Sequence, residues 1–440
     1  MLMKIDFVFN KFENIVTFFY ERILHEKMSN DVKKFVKNIS YVGIGTIIAT
    51  IFSFTYNILA GRILGPSGYG EFTLVQSIAM FLIIPMLLGF DTAMVKYTSE
   101  NGDLKRQRSI ISVTYIFVFI FMVVSISIYY LFSSQIAKIF SVPIEFFYLS
   151  VIFATLYSFY MLTTDTLRGL HEMKKYAMLR PIYSIILLLT FLVFISINIV
   201  SFKSMVFSMY IAYGVTGGII LAFIRKYIRF ELDKTWINRL SRYSILAIVG
   251  GLTFVFYTNI DKILINKYMT ISDVGLYKAY SYSFLTFLSL CLGIFITVFF
   301  PVASKSKNKD IIFRRVNKFI PFLIIFGLPV MIGSGIVILM LFGTEYTFNL
   351  SLALLFGIAG ICIFINSIYT WLMNAVGRKG IRLTSLAAIV ITLANISLNI
   401  LLIPLMGIKG AIIATIISYF LSFIIILSKK KYFYFPEAIE

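Results

Sequence analysis

The sequence predicts an all-α integral membrane protein with twelve transmembrane helices, and three observations predict it. Hydrophobic residues make up 59% of the 440 residues and charged residues only 14%. The mean hydropathy is +0.91, which is far more apolar than a soluble domain of this length requires. Twelve charge-free windows of at least 18 residues follow one another along the chain. Each is long enough to cross a hydrocarbon core of about 30 Å as a helix.

The windows and the segments between them define the predicted domains. The twelve windows are 38–61, 72–90, 109–137, 146–164, 181–202, 204–224, 243–260, 279–304, 319–344, 346–377, 383–408 and 410–428. The basic segment 225–242 separates six windows from the other six, so we expect a cytoplasmic linker there between an N-lobe and a C-lobe. The predicted domains are an N-terminal cytoplasmic or interfacial segment at 1–37, the N-lobe at 38–224, the linker, the C-lobe at 243–428 and a cytoplasmic tail at 429–440. Within the first, apolar residues at helical spacing predict an amphipathic surface helix over 4–27.

A repeated stretch indicates that the two halves arose by duplication. Residues 61–72 read GRILGPSGYGEF, and a diverged copy reads NKYMTISDVGLY at 266–277, at an offset of 205. Gly70 then corresponds to Gly275, and Arg62 to Lys267. Because each half has six spans, both halves start on the same side of the membrane. The repeat therefore predicts a pseudo-two-fold axis along the membrane normal, with a cavity between the lobes.

The positions of the basic residues predict the orientation in the cell membrane. The segments on one side of the predicted membrane hold 33 of the 40 Lys and Arg residues, including those near both termini. This alternation is the positive-inside pattern and predicts that both termini are cytoplasmic. A nucleic-acid surface would instead cluster the basic residues on one face together with aromatic residues. The net charge of +20 is thus explained without nucleic acid.

The sequence has no pattern typical of an enzyme or a metal centre. The segments on the other side are short, and no P-loop, HExxH, GxSxG or CxxC pattern occurs. Cys291 and Cys362 lie deep in apolar windows and are far apart in sequence. We therefore expect a carrier without catalytic residues, bound metal or cofactor.

Four motifs resemble the polysaccharide-biosynthesis, or oligosaccharide flippase, family of the multidrug/oligosaccharidyl-lipid/polysaccharide (MOP) exporter superfamily. They are RILGPSGYGEF at 62–72, LRGLHEMKKYA at 167–177, NIDKILI at 259–265 with VGLY at 274–277, and NISLNILLIPLMGIKGAIIAT at 395–415. The resemblance covers the chain from about residue 35. It implies alternating access by two six-helix lobes and export of a polyprenyl-linked oligosaccharide. The implied partners are that lipid-linked oligosaccharide, membrane lipids and glycan-assembly enzymes, with the protein a monomer.

Charged residues in or near the spans are the first candidates for substrate contact, because a lipid diphosphate needs cations shielded from lipid. Lys262 is a candidate phosphate ligand, and Asp261 precedes it; the alternative is that Lys262 extends to the outer interface. Arg62 either binds sugar or phosphate outside or anchors to lipid head groups. Asp91, Lys96 and Arg168 are candidates for the inner mouth, where a purely stabilising role is the alternative.

Uncharged polar side chains are candidates for binding sugar hydroxyl groups. They are Gln76, Tyr257, Asn259, Tyr280, Asn395 and Asn399. Asn395 and Asn399 are four residues apart and share one helix face. The alternative for each is a hydrogen bond between helices, worth about 0.6 kcal/mol in membranes.

Two other functions remain open at this point. An ion-coupled exporter of drugs or organic cations belongs to the same superfamily, although such exporters usually carry carboxylates inside their helices. The acidic residues here are expected near helix ends, Asp91 and Asp165 at the inner side and Asp261 and Glu345 at the outer. A membrane scaffold for glycan enzymes is the third hypothesis.

Overall fold

The computed structural model describes residues 30–100, 103–229, 232–305 and 309–429, and within these ranges it contains helices and no β-strand. Fourteen α-helices occur there. They are α1 (Asn30–Leu87), α2 (Phe90–Ser99), α3 (Leu104–Leu131), α4 (Ser133–Ile139), α5 (Ile144–Gly169), α6 (Met173–Ser196), α7 (Phe202–Ile224), α8 (Lys234–Tyr268), α9 (Ile271–Lys305), α10 (Lys309–Phe322), α11 (Leu328–Phe342), α12 (Leu350–Asn374), α13 (Arg378–Met406) and α14 (Ile408–Ser428). A 3₁₀ turn at Arg225–Tyr227 and a π-helical turn at Leu323–Gly327 complete the described helical structure.

Among the described residues, ten helical segments are long and apolar enough to cross a membrane. Large apolar side chains are exposed along them, including Leu131 at 72% and Leu405 at 80%. Such exposure disfavours an aqueous environment and is normal when the surrounding solvent is lipid. The protein is therefore an all-α, multi-pass membrane protein. The predicted amphipathic helix over 4–27 and the tail from residue 430 lie outside the described residues.

Gly65 interrupts the long helix α1 in the middle of the first repeat motif. Its backbone has φ 64° and ψ 179°, a conformation that only glycine adopts without strain. Pro66 follows, and a proline disfavours the α conformation of the residue before it while suiting the first turn of a new helix. The sequence Gly-Pro thus ends one helical stretch and begins the next. Residues 45–87 therefore consist of two helical stretches that meet at Gly65.

The two copies of the repeat motif contact each other through equivalent glycines. A β-carbon at Gly70 would overlap the carbonyl oxygen of Ile271, and a β-carbon at Gly275 would overlap that of Pro66. Pro66 and Ile271 also correspond at the offset of 205. The contact is therefore reciprocal, as expected where two related elements meet about a local two-fold axis. Both positions need glycine because the opposing backbones are too close for any side chain.

The described contacts divide the chain into two compact units. Unit 1 comprises 1–57, 82–132 and 149–248, and unit 2 comprises 58–81, 133–148 and 249–440. Unit 2 therefore contains two segments from the N-terminal half together with most of the C-terminal half. Within the linker predicted over 225–242, Arg225–Tyr227 form the 3₁₀ turn, and the residues from Lys234 onward begin helix α8.

Candidate functional site

The most polar buried cluster in the described part of unit 2 is centred on Asp261, whose side chain is 4% exposed. The Tyr277 hydroxyl donates to one carboxylate oxygen at 2.6 Å, and the Asn399 amide donates to the other at 2.6 Å. Asn399 also donates to the Asn395 oxygen at 3.0 Å, and the Asn395 amide lies 3.4 Å from the Thr415 hydroxyl. Helices α8, α9, α13 and α14 each contribute to this Asp261 cluster, so it joins four helices.

Helical spacing explains why these side chains converge. Asn395 and Asn399 lie one turn apart on α13 and therefore face the same neighbour. A buried carboxylate in a membrane helix needs hydrogen-bond donors, and the phenol and the amide supply them. Asn399 is fully buried, and its side-chain oxygen has no hydrogen-bond donor among the described residues. This oxygen and the carboxylate leave acceptor capacity available inside the cluster.

Lys262 and Lys278 form a pair of cations next to this cluster. Lys262 donates to the backbone oxygen of Thr258 one turn earlier, which holds its ammonium group within the span. Lys278, on α9, directly follows Tyr277, as Lys262 directly follows Asp261, so each lysine is next to one partner of the Tyr277–Asp261 hydrogen bond. Neither lysine forms an ion pair with a described residue, and Asp261 interacts with Lys262 only at longer range. Two lysines and one carboxylate give this group a formal charge of +1.

Other candidates for sugar contact have partners that fix them within the protein. Asn259 donates to the Val255 backbone oxygen at 3.0 Å, so its amide bonds to its own helix. The Tyr280 hydroxyl donates to the Thr347 backbone oxygen at 2.9 Å and accepts from the Asn349 N–H at 2.7 Å. Tyr257 packs edge-on against Tyr419 with ring centroids 6.4 Å apart. Gln76 is half-buried and has no hydrogen bond to a described residue.

Arg62 lies on a separate cleft of about 530 Å³ in unit 2, away from the Asp261 cluster. The segment 342–348 forms most of its wall. The Tyr346 hydroxyl donates to the Gly61 backbone oxygen at 2.9 Å. Arg62 is exposed and forms no ion pair with Glu345 on the same rim. The cleft therefore offers an exposed cation and backbone groups, which suits an anionic or polar ligand or a lipid head group.

The residues predicted for the inner mouth lie in unit 1, where Asp165 is a neighbour of both Arg168 and Asp91. Arg168 forms an ion pair with Asp165 at 2.7 Å. Lys96 is exposed, with its ammonium group 4.1 Å from the Tyr243 ring centroid. Asp91, on α2, is 8% exposed. Burial, followed by repulsion from the Asp165 carboxylate, raises the pKa of Asp91 from 3.8 to about 6.

The sequence analysis did not single out three residues of the Asp261 cluster and the lysine pair. They are Tyr277, Lys278 and Thr415. Tyr277 stands at the position of Phe72 in the repeat, so its hydroxyl is a difference between the copies that sequence comparison does reveal. Lys278 falls one residue before a charge-free window, where it reads as an ordinary helix flank. Thr415 carries no sequence signal. Among the residues that the structure describes, no three His, Cys, Asp or Glu side chains form a group able to hold a metal ion.

Comparison with solved structures shows a shared fold. The lipid II flippase MurJ in an inward closed conformation is similar with a TM-score of 0.67 and 17% identity, over 90% of this chain and 89% of that one. An inward-facing multidrug resistance MATE family transporter of the MOP superfamily gives 0.62 and 12%, over 89% and 96%. An outward-facing MATE family transporter of that superfamily gives 0.57 and 14%, over 94% and 100%. At these identities the similarity establishes the fold alone.

A search among curated proteins found no match. The family comparison is informative, because the model of the polysaccharide biosynthesis protein family matches residues 35–307. This range is more than half of the chain and includes the repeat motif, the Asp261–Lys262 pair and Lys278. The chain thus belongs to the polysaccharide biosynthesis protein family and has a fold similar to those of MATE transporters and MurJ.

Proposed function

We propose that this protein is a flippase that moves a polyprenyl-linked oligosaccharide from the cytoplasmic to the outer leaflet by alternating access, for polysaccharide or glycoprotein biosynthesis. The family and the shared fold support transport in glycan assembly. The observation that carries the proposal is the Lys262–Lys278 pair: two lysines within membrane helices, each next to one partner of the Tyr277–Asp261 hydrogen bond and neither in an ion pair with a described residue. A diphosphate linking sugar to lipid has the charge to complete this pair.

Twelve spans in two six-helix lobes are part of the proposal. Two features support this number beyond the ten candidate segments. The segment Gly45–Leu87 has 43 residues, about 65 Å as one straight helix and twice the thickness of a bilayer core. Its break at Gly65 makes it two spans. Helix α9 (Ile271–Lys305) has 35 residues, enough for one more. The reciprocal glycine contact supports the pseudo-two-fold relation between the lobes.

We place both termini in the cytoplasm, as the charge alternation indicates. The repeat motif and Arg62 then belong to the outer end. In this orientation, the glycine contact between the two motif copies joins the halves of the chain at the outer side. Alternating access requires such a contact to break when the outer side opens, so it is a candidate outer gate.

Two of the uncharged polar candidates, Tyr257 and Gln76, suit the sugar part of the cargo. Tyr257 is partly buried, and its ring and hydroxyl are able to contact a sugar. Gln76 retains unused hydrogen-bond capacity among the described residues. Asn259 and Tyr280, whose polar groups are already bonded within the protein, contribute less in this arrangement. Asn395 and Asn399 act through Asp261 rather than on the sugar directly.

The experiment follows lipid-linked glycan in cells. Deletion of the gene is expected to cause accumulation of unflipped lipid-linked oligosaccharide on the cytoplasmic side. Re-expression of the wild type restores normal amounts, and a Lys262→Gln/Lys278→Gln variant does not. A Lys267→Gln variant, which removes a nearby cation outside the pair, is the matched control. Unchanged lipid-linked pools and surface glycan after deletion would contradict the proposal.

A second candidate function is ion-coupled export, and the Asp261 cluster favours coupling to a proton or monovalent cation. The cluster combines a buried carboxylate with amide and hydroxyl oxygens, which are hard ligands. The unbonded Asn399 oxygen is a free acceptor there. This cluster suits coupling of the flippase itself as well as a drug exporter, so cargo separates the two functions. Drug resistance that appears on expression and is lost in Asp261→Asn favours the drug exporter. A non-transporting scaffold predicts that neither Asp261→Asn nor Lys262→Gln/Lys278→Gln changes transport.

A further inference from the structure

A second polar cluster lies in unit 1, around Arg180, which is not among the residues predicted for the site. Arg180 is part of helix α6 (Met173–Ser196), although its charge reads in the sequence as part of a basic loop. Its Nη1 donates to the Thr46 hydroxyl at 3.0 Å. The guanidinium group also lies 5.8 Å from the Tyr176 ring centroid. Arg180 is therefore held toward α1 and partly buried, instead of extending freely to the membrane surface.

Arg180 is a cation without a counter-charge. It forms no ion pair with a carboxylate in the part of the chain that the structure describes. A guanidinium group has five N–H donors, and the Thr46 hydroxyl is its one hydrogen-bond acceptor among the described residues. A charge within a membrane helix is unfavourable unless a partner compensates it. An anionic ligand would compensate this charge.

Four tyrosines lie beside Arg180 and contact one another, and we call them the tyrosine cluster. They are Tyr157, Tyr160, Tyr183 and Tyr213, with ring centroids between 4.9 and 6.4 Å apart in the contacting pairs. Tyr183 lies three residues after Arg180 on α6, so the two side chains are neighbours on the helix surface, and Tyr183 contacts both Tyr160 and Tyr213. Three of the four side chains are only partly buried, so part of the cluster surface is accessible.

A polar seam between α1 and α6 continues from this point. The Ser53 and Ser184 hydroxyls lie 3.0 Å apart, and Ser184 is one turn after Arg180 on the same helix face. Thr46 and Ser53 lie seven residues apart on α1 and also share a face. The seam fixes the guanidinium group relative to α1, which is the preorganisation that a binding site requires.

We propose that Arg180 and the tyrosine cluster form a phosphate-binding site in unit 1, separate from the Lys262–Lys278 pair. The guanidinium group binds phosphate oxygens in the bidentate geometry that arginine favours, and the phenols donate further hydrogen bonds. The phosphate belongs to the lipid-linked sugar if the proposed function is right, and the inference rests on that function only for the identity of the cargo. The binding chemistry itself is independent of transport.

The test measures binding to the purified full-length protein in phosphatidylcholine nanodiscs. The background is Lys262→Gln/Lys278→Gln, so that the first phosphate site does not contribute. Calorimetric titration uses two probes, inorganic pyrophosphate and farnesyl diphosphate. We expect this background to bind farnesyl diphosphate and the added Arg180→Gln to weaken that binding at least tenfold. Arg180→Lys keeps the charge and is expected to retain intermediate affinity.

The matched control is Arg225→Gln, which removes an exposed arginine of the same unit and leaves affinity unchanged. Thr46→Val removes the hydroxyl that positions Arg180. If Arg180 had a purely structural role, both the Thr46 and the Arg180 variants would have lower thermal stability and unchanged affinity. If Arg180→Gln fails to fold, Arg180→Lys carries the test, and affinity equal to the background value contradicts the site. Binding of pyrophosphate equal to that of farnesyl diphosphate identifies free phosphate chemistry, whereas preference for farnesyl diphosphate identifies a lipid-linked ligand.

Three outcomes overturn the inference: no binding in the lysine-substituted background, binding insensitive to Arg180→Gln, or equal loss in Arg225→Gln. None of these depends on flipping. Loss of flipping in a wild-type protein that binds normally would instead refute the proposed function and leave the site in place.

Discussion

Lys278 is the residue whose placement most changes the view of the candidate site. A single lysine at 262 beside Asp261 would form a nearly neutral couple. A second lysine on the neighbouring helix turns the couple into a net positive site. The second lysine therefore gives this region the positive formal charge that the proposed phosphate ligand requires.

We predict that Lys278→Gln lowers transport about as strongly as Lys262→Gln, because each substitution leaves a single lysine against Asp261. The expected reduction is tenfold or more, measured as the rate of lipid-linked oligosaccharide flipping in proteoliposomes. Lys267→Gln is the matched control and keeps the wild-type rate. Full activity in Lys278→Gln would contradict a role of the lysine pair in transport.

We predict a pH-dependent effect of Asp91→Asn. The pKa of Asp91 is raised to about 6 in the folded protein, above its ordinary 3.8, so the folded state binds a proton more readily than the unfolded state. The free energy of unfolding then falls as pH rises from about 4 to 6 and stays lower above that range. A shift of two units corresponds to about 3 kcal/mol. The variant should match the wild type at pH 4 and be more stable at pH 8 by thermal denaturation in detergent.

Asp233→Asn is the control of opposite sign. Slight burial raises the pKa of Asp233, but hydrogen bonds from the Thr235 backbone N–H and the Ser109 hydroxyl outweigh it, and the net pKa is lowered. A carboxyl with a lowered pKa adds stability above its unfolded pKa, and this stability is lost as pH falls through the folded value. Asp233→Asn is thus expected to be less stable than the wild type at neutral pH. The same sign for both variants would contradict these assignments.

At the scale of elements, Tyr280 connects helix α9 to the segment before α12. Its hydroxyl bonds to Thr347 and Asn349, and its ring stacks on Phe284 with centroids 5.9 Å apart. We predict that Tyr280→Phe lowers the melting temperature, by the loss of two hydrogen bonds worth about 1 kcal/mol each. The apparent affinity for cargo should stay unchanged in a transport assay. A weaker affinity for cargo without loss of stability would instead indicate that Tyr280 contacts the sugar.

The repeated glycines give a prediction about the outer gate. A side chain at Gly275 would meet the Pro66 backbone, and one at Gly70 would meet Ile271. Gly275→Val is expected to separate the two motif copies and favour opening at the outer side. Labelling of a cysteine placed at Thr344 with a membrane-impermeant reagent measures this, and labelling should be faster than in the parent. Gly250→Val, at a glycine with open space around it, is the control.

How far the sequence predicts the molecule depends on the signal each feature leaves. Apolar windows of 18 residues are a strong signal because lipid demands them, and the membrane class and the family follow from sequence alone. The break at Gly65 and the correspondence of the two motif copies are also visible in the sequence, as a Gly-Pro pair and as a fixed offset of 205 residues. Which polar side chains meet depends on helix rotation, which these sequence patterns do not fix. Arg180 shows the consequence: its charge marked the end of a window, and its tyrosine neighbours come from other helices.

At the scale of the whole molecule, each compact unit contains one of the two proposed phosphate-binding sites. Unit 2 contains the lysine pair and the Asp261 cluster, and unit 1 contains Arg180 with the tyrosine cluster. A carrier that moves a diphosphate-linked sugar needs cations at more than one stage, because a charged group without compensation is costly at every depth of the bilayer. The proposed function thus uses charges that would otherwise destabilise the protein.

The most direct test of the central claim is flipping by the purified protein in phosphatidylcholine vesicles that contain a fluorescent polyprenyl-diphosphate-linked sugar. A membrane-impermeant reductant measures the fraction of probe exposed outside over time. Without protein, about half of the probe is accessible. With the wild type, we predict that nearly all becomes accessible within minutes, and that the Lys262→Gln/Lys278→Gln variant slows this at least tenfold. Accessibility that stays near half with folded wild-type protein would contradict the claim that this chain moves lipid-linked oligosaccharide.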